Sequence, residues 1–143
     1  MAIRRLSLSN FRCYSSLRLT IEFPIIVLTG PNGAGKTNIL EAISFLVPGR
    51  GLRAANLGDV ALTARNTHNH IKNWAVSATV AGCGGTYEFG TGISQEIPMG
   101  RLKRAVKIDG QLMKGQSSLG EKLSVLWLTP DMQRLFNEGP SSR

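Results

Sequence analysis

The chain has 143 residues, 42% of them hydrophobic and 18% charged, which suits one domain with its own core and is too short for two ordinary ones. That composition argues against a disordered chain, and no apolar run nears the roughly 20 residues of a membrane span or forms a secretory signal after Met1–Arg5, so a cytoplasmic protein is expected. A net charge of +8 favours polyanionic partners, while two distant cysteines, Cys13 and Cys83, and two histidines in a polar stretch, His68 and His70, point away from disulfide and zinc chemistry.

Taken in order, Ile3 to Asn10 alternates Leu6 and Leu8 with serines, and Leu17 to Phe23 alternates apolar with polar residues, so both read as half-buried strands of a small antiparallel sheet. The aromatic patch Asn10-Phe11-Arg12-Cys13-Tyr14 between them reads as a turn. Ile25 to Leu28 is apolar without a break, the pattern of a strand covered on both faces.

Gly30 to Thr37 follows at once and matches G-x-x-x-x-G-K-[ST] at every fixed position, with a strand expected before it and a helix after it. The chemistry explains the residue types. Gly30, Gly33 and Gly35 let backbone N–H groups approach phosphate oxygens, Pro31, Asn32 and Ala34 complete the loop, Lys36 reaches the outer phosphates, and the Thr37 hydroxyl ligates Mg²⁺. The helix beginning near Lys36 aims its unpaired amides and positive dipole end at the same oxygens.

Ile39, Leu40, Ala42, Ile43 and Leu46 recur at helical spacing as a core stripe, and Pro48-Gly49 ends that helix. Arg50 to Arg53 reads as a basic loop, near enough to the phosphate loop to contact nucleotide or DNA and equally readable as a solvated surface, and residues 54 to 62 as irregular or briefly helical. Alternation returns from Ile71 to Val80, Gly82 to Gly85 turns the chain into Thr86 to Phe89, and Gly90 to Gly100 reads as a loop. Leu102 to Ile108 alternates again, with Asp109-Gly110 as a hairpin turn and Gln111 to Met113 as the return strand. The basic cluster divides by strand alternation, with Arg101, Lys103 and Lys107 on one face, where they could line a surface track but read slightly better as a solvated sheet face, and Arg104 on the other. Last come a short helix capped by Ser117 or Ser118, an apolar strand Val125 to Leu128, and a helix opened by Thr129-Pro130-Asp131 with Met132, Leu135 and Phe136 on its buried side.

A complete nucleotide hydrolase needs a second motif, an apolar strand ending in a metal-binding aspartate. Neither Asp109, preceded by a lysine-interrupted run, nor Asp131, set after Thr129-Pro130, fits that pattern. The phosphate-gripping half of a site is therefore expected here, with the hydrolytic half supplied from elsewhere.

Leu6 to Tyr14, the loop with Asn38-Ile39-Leu40-Glu41-Ala42-Ile43, Pro48 to Arg53, Ile108-Asp109-Gly110 and Leu128 to Met132 running on to Arg143 together resemble the RecF family, within the RecF and SMC group of ABC-type ATPases. The resemblance covers essentially the whole chain and implies an α/β fold of the P-loop NTPase class. In detail it implies an ABC-ATPase-like head lobe I with a mixed sheet, antiparallel hairpins and one main P-loop helix. Residues 1–143 would be the amino-terminal lobe of an ATPase domain that continues beyond residue 143. It implies ATP and Mg²⁺ as cofactors, single-stranded or gapped duplex DNA as partner, an ATP-dependent homodimer, other recombination mediators, and roles in DNA replication, DNA repair and the SOS response to DNA damage. The full-length family would be weak ATPases, with this chain inactive alone. Carried over by position, Gly30 to Thr37 and Arg12 contact the nucleotide, and Thr37 and Asp131 the metal, with Gln133 the alternative at the second metal position. Two other readings compete: a self-contained small P-loop phosphotransferase using Asp109 or Asp131, and a basic DNA-binding module with a vestigial nucleotide site.

Overall fold

The alternating segments pair as their side-chain period requires, in a computed structural model that describes residues 1–62, 73–94, 102–130 and residue 132. β1 (Ala2–Phe11) and β2 (Tyr14–Thr20) form a hairpin with Leu6 opposite Leu19 and Leu8 opposite Leu17, which keeps four apolar side chains on one face. β3 (Ala75–Gly82), β4 (Gly85–Ser94), β5 (Lys103–Ile108) and β6 (Gln111–Leu112) extend the sheet in the order β2-β1-β3-β4-β5-β6. Every pairing among these strands is antiparallel.

One face of the sheet carries the core. Leu6, Leu8, Val76, Ala78, Val80, Phe89, Val106 and Ile108 are buried there, and α1 (Lys36–Ser44) with its following turn lays Ala42, Phe45 and Leu46 into the same cluster. Phe11, Phe45 and Trp74 meet edge to face with centroids 5.1 to 5.9 Å apart, and the Trp74 indole donates to the Leu57 carbonyl at 2.8 Å. Each large apolar side chain fully buried contributes about 1.5–3 kcal/mol, so this three-ring knot where helix meets sheet is a main anchor for the helix. A 3-10 turn spans Leu57–Val60, and a short helix, α2 (Ser117–Lys122), packs Leu119 inward.

Four expectations are corrected. Ile25 to Leu28 pairs with no described strand and is largely exposed, with Ile25 at 82% and Val27 at 78%. Its composition is that of a doubly covered strand, yet it pairs with neither free edge of the sheet, β2 nor β6, and composition alone does not supply a neighbour. Val125 to Leu128 likewise joins no sheet, and Leu126 is fully in solvent. Leu40, placed in the core stripe by periodicity, is 52% exposed, because α1 buries only its sheet-facing side and turns Leu40 toward the unpaired segment. Finally, Gly90 does not open a loop: β4 runs to Ser94, since Gly92 must approach the Trp74 carbonyl so closely that a Cβ would lie 2.5 Å from it. The rest of the expected loop, Gln95 to Gly100, lies outside the described residues, as do His68, His70, Arg101, Leu135 and Phe136.

Candidate phosphate-binding site and basic sheet face

The loop from Gly30 to Thr37 wraps the amino terminus of α1. Gly33 and Gly35 take φ of 83° and 94°, a region costly for residues with a Cβ. Gly35 is doubly constrained, because a Cβ there would lie 2.5 Å from the Tyr14 hydroxyl and 2.8 Å from the Cys13 sulfur. A Cβ at Gly33 would meet nothing within 4 Å beyond its chain neighbours, so that side of the loop is open. The Gly35 carbonyl accepts from the amides of Asn38 and Ile39, no side chain caps the helix, and no acidic residue sits in its first turn. The helix amides and positive dipole end thus face the loop uncompensated. Lys36 folds back over the loop and donates to the carbonyls of Gly30 at 2.6 Å and Pro31 at 2.7 Å, while Pro31, Asn32, Gly33, Ala34 and Thr37 are exposed.

The wall of the loop comes from the β1–β2 turn. Tyr14 makes a long contact of 3.4 Å to the Ala34 carbonyl, and its hydroxyl pKa is raised by burial and by neighbouring Cys13. Arg12, at φ 53°, does not extend into the loop. Its Nε and Nη2 grip both oxygens of Glu41 at 2.9 and 2.6 Å, and its Nη1 donates to the Asp59 carbonyl at 2.7 Å. Glu41 is wholly buried, one helical turn past Thr37, and also accepts from Arg53 at 3.0 Å. Arg53 bonds the Asn38 amide oxygen as well, and Asn38 donates to the Cys13 sulfur at 3.2 Å. Glu41 therefore gathers the turn, the helix and the 50–53 loop around one carboxylate. Periodicity could not reveal this role, though a charged residue within an apolar helical stripe was a signal for it.

Of the metal ligands expected, Thr37 is exposed at the start of α1, and Asp131 with the alternative Gln133 lies outside the described residues. Among the described residues no cluster of three acidic, histidine or cysteine side chains exists. Asp109 is in the β5–β6 turn at φ 49°, where its carboxylate accepts the Glu88 amide at 2.7 Å, so it serves the hairpin.

The sheet face opposite the core is built differently. One rung runs Arg18, Ser7, Ser77, Gly90, Lys107 across five strands, and the neighbouring rung runs Thr20, Arg5, Thr79, Glu88. Arg5, Arg18 and Lys107, with Glu88, surround a floor of serine and glycine in a shallow hollow of about 310 Å³, and Lys103 is exposed farther along β5. At about 4.8 Å per strand, Arg18 and Lys107 stand about 19 Å apart. Arg104 points the other way and is buried.

Residues 5–114 match the AAA domain family. The chain is 42% identical over 141 residues to the DNA replication and repair protein RecF of Allorhizobium ampelinum and 44% identical over 140 residues to that of Rhizobium meliloti. These alignments cover 99% and 98% of this chain but 36% and 35% of the relatives, so the chain spans about a third of their length. Among solved structures, the recombination mediator protein RecF-ATPrS in the RecFOR pathway superposes with a TM-score of 0.76 at 19% identity, covering 98% of this chain and 35% of that one. The SMC head domain from Thermotoga maritima does so at 0.63 and 16%, covering 85% and 40%. The fold is thus that of these ATPase heads, and the chain belongs to the AAA domain family, with its similarity to RecF running along almost its whole length.

Proposed function

We propose that this chain is the ATP-binding amino-terminal lobe of a RecF-type DNA replication and repair protein, holding MgATP at Gly30 to Thr37 and DNA on the basic sheet face. The observation that carries the reading is the phosphate loop: positive-φ glycines and unpaired helix amides converge beside a lysine that already bridges two loop carbonyls. In this reading the backbone of Gly30, Pro31, Asn32, Gly33, Ala34 and Gly35 lines the polyphosphate, and Lys36 exchanges its carbonyl partners for phosphate oxygens. The Thr37 hydroxyl and Asp131 would hold Mg²⁺, which would neutralise charge on the phosphates. Arg12 serves the nucleotide by holding, through Glu41, the turn that walls the loop. Full hydrolysis draws on groups beyond these residues and on a second copy, in an ATP-dependent homodimer acting in the cytoplasm on single-stranded or gapped DNA, with other recombination mediators, during repair and the SOS response.

The test is equilibrium binding of a fluorescent ATP analogue with Mg²⁺. Lys36→Ala should weaken it about 10- to 100-fold, the equivalent of one charge-assisted hydrogen bond of about 1.5–3 kcal/mol. Unchanged affinity in a folded variant would defeat the reading. Phosphate transfer from ATP to a small acceptor by this chain would instead favour the phosphotransferase.

A further inference from the structure

Arg104 is a buried cation with no carboxylate partner among the described residues. Its five N–H donors go to dipoles. Nε donates to the Thr91 hydroxyl at 2.7 Å, Nη1 to the Gly49 carbonyl and the Gln116 side-chain oxygen, each at 2.8 Å, and Nη2 to the carbonyls of Phe45 and Val47. The guanidinium also lies over the Phe45 ring, 5.3 Å from its centroid. Phe45, Val47 and Gly49 belong to the carboxyl-terminal end of α1 and the turn after it, where helix carbonyls lack partners and the dipole is negative. One side chain of β5 thus closes the far end of the helix whose near end is the phosphate loop.

The neighbours of Arg104 along the strand make this more than a cap. Strand alternation sends Lys103 and Lys107 to the basic face while Arg104 enters the core, so the same six-residue strand carries polyanion-facing charges on one side and the helix strut on the other. α1 is about 14 Å long and rigid over that length, and the guanidinium fork fixes its end in two dimensions, which a single ammonium cannot do.

We propose that Arg104 is a positioning residue that couples the two sites. A polyanion pulling on Lys103 and Lys107 moves β5, Arg104 carries that movement to the end of α1, and the helix shifts its loop amides relative to a bound triphosphate. By linkage the triphosphate then changes polyanion affinity by the same factor. The inference rests on the functional reading above, since it needs both ligands to bind.

The experiment measures the affinity of the chain for a non-hydrolysable ATP analogue with Mg²⁺, with and without a saturating single-stranded oligonucleotide, and the reverse titration. Wild type should show a coupling factor of about 5 or more, the lower end of the usual range. Arg104→Gln should bring the factor to within about twofold of one while each ligand alone binds within about threefold of wild type, and Arg104→Lys should restore it in part. Thr91→Val, which removes the Nε acceptor together with the hydroxyl's own bond to the Ala105 carbonyl, gives a milder reduction and serves if Arg104→Gln fails to fold by circular dichroism. Coupling that survives intact in folded Arg104→Gln or Thr91→Val overturns the proposal and leaves the functional reading standing. Two ligands that bind wild type without affecting each other overturn the proposal alone. A wild-type chain that binds neither overturns both.

Discussion

Glu41 is the residue on which the site geometry depends most directly. A fully buried carboxylate is tolerable only when paired, and here two guanidinium groups pair with it from different loops. Removing one partner leaves the charge half-compensated. Arg12→Met should therefore cost about 3 kcal/mol, read as a lower urea midpoint with an unchanged slope, since breaking a buried pair typically costs 3–5 kcal/mol and Arg53 remains. If Arg12 instead acts mainly as a nucleotide contact, the midpoint will hold and ATP affinity alone will fall. Gly35→Ala makes a second residue-scale test. Its φ of 94° and its contact with Tyr14 and Cys13 should cost about 1–2 kcal/mol of stability in backbone strain, with a larger loss of nucleotide affinity as the wall is pushed away.

Legibility varied from element to element for physical reasons. The hairpins were plain in the sequence because alternation and turn residues are local: Asp109-Gly110 sits at φ 49° and 79°, as an Asp-Gly turn demands. The phosphate loop was plain because its glycines, lysine and threonine follow one another at a fixed local spacing, G-x-x-x-x-G-K-[ST], between an apolar run and a helix. What alternation could not convey was partnership. Ile25 to Leu28 has the composition of a central strand, and composition does not say which strand lies beside it. Arg104 was correctly assigned to the face opposite Lys103 and Lys107, yet its burial and its grip on α1 join residues 55 to 59 positions apart, beyond any local pattern. The exposed apolar pair makes a prediction at this scale. Ile25→Lys with Val27→Lys should leave the circular dichroism spectrum intact and raise the monodisperse fraction in light scattering, because both side chains face solvent.

At the scale of the whole molecule, the charge of +8 is unevenly used. Arg12, Arg53 and Arg104 are tied to internal acceptors, whereas Arg5, Arg18, Lys103 and Lys107 stand on the outer sheet face over a small-residue floor. Polyanion binding there should be strongly salt-dependent, with each of these four contributing about 0.9 to the slope of log affinity against log salt for a duplex, and less for a single strand. Replacing Arg18 and Lys107 with Gln should lower that slope by about two without altering base preference, measured by fluorescence anisotropy over a salt series. An unchanged slope would move the interface elsewhere.

The lysine arrangement at the loop has one more implication, concerning discrimination by ligand size. The Lys36 ammonium spends two of its three N–H donors on the carbonyls of Gly30 and Pro31, so in the proposed reading one donor is open to an incoming anion and the other two become available only by exchange. Orthophosphate, with few oxygens to offer both the ammonium and the loop amides, gains little from that trade. In that reading a longer phosphate chain spans both sets of donors at once, so a preference for polyphosphate over orthophosphate follows from the resting contacts of a single side chain.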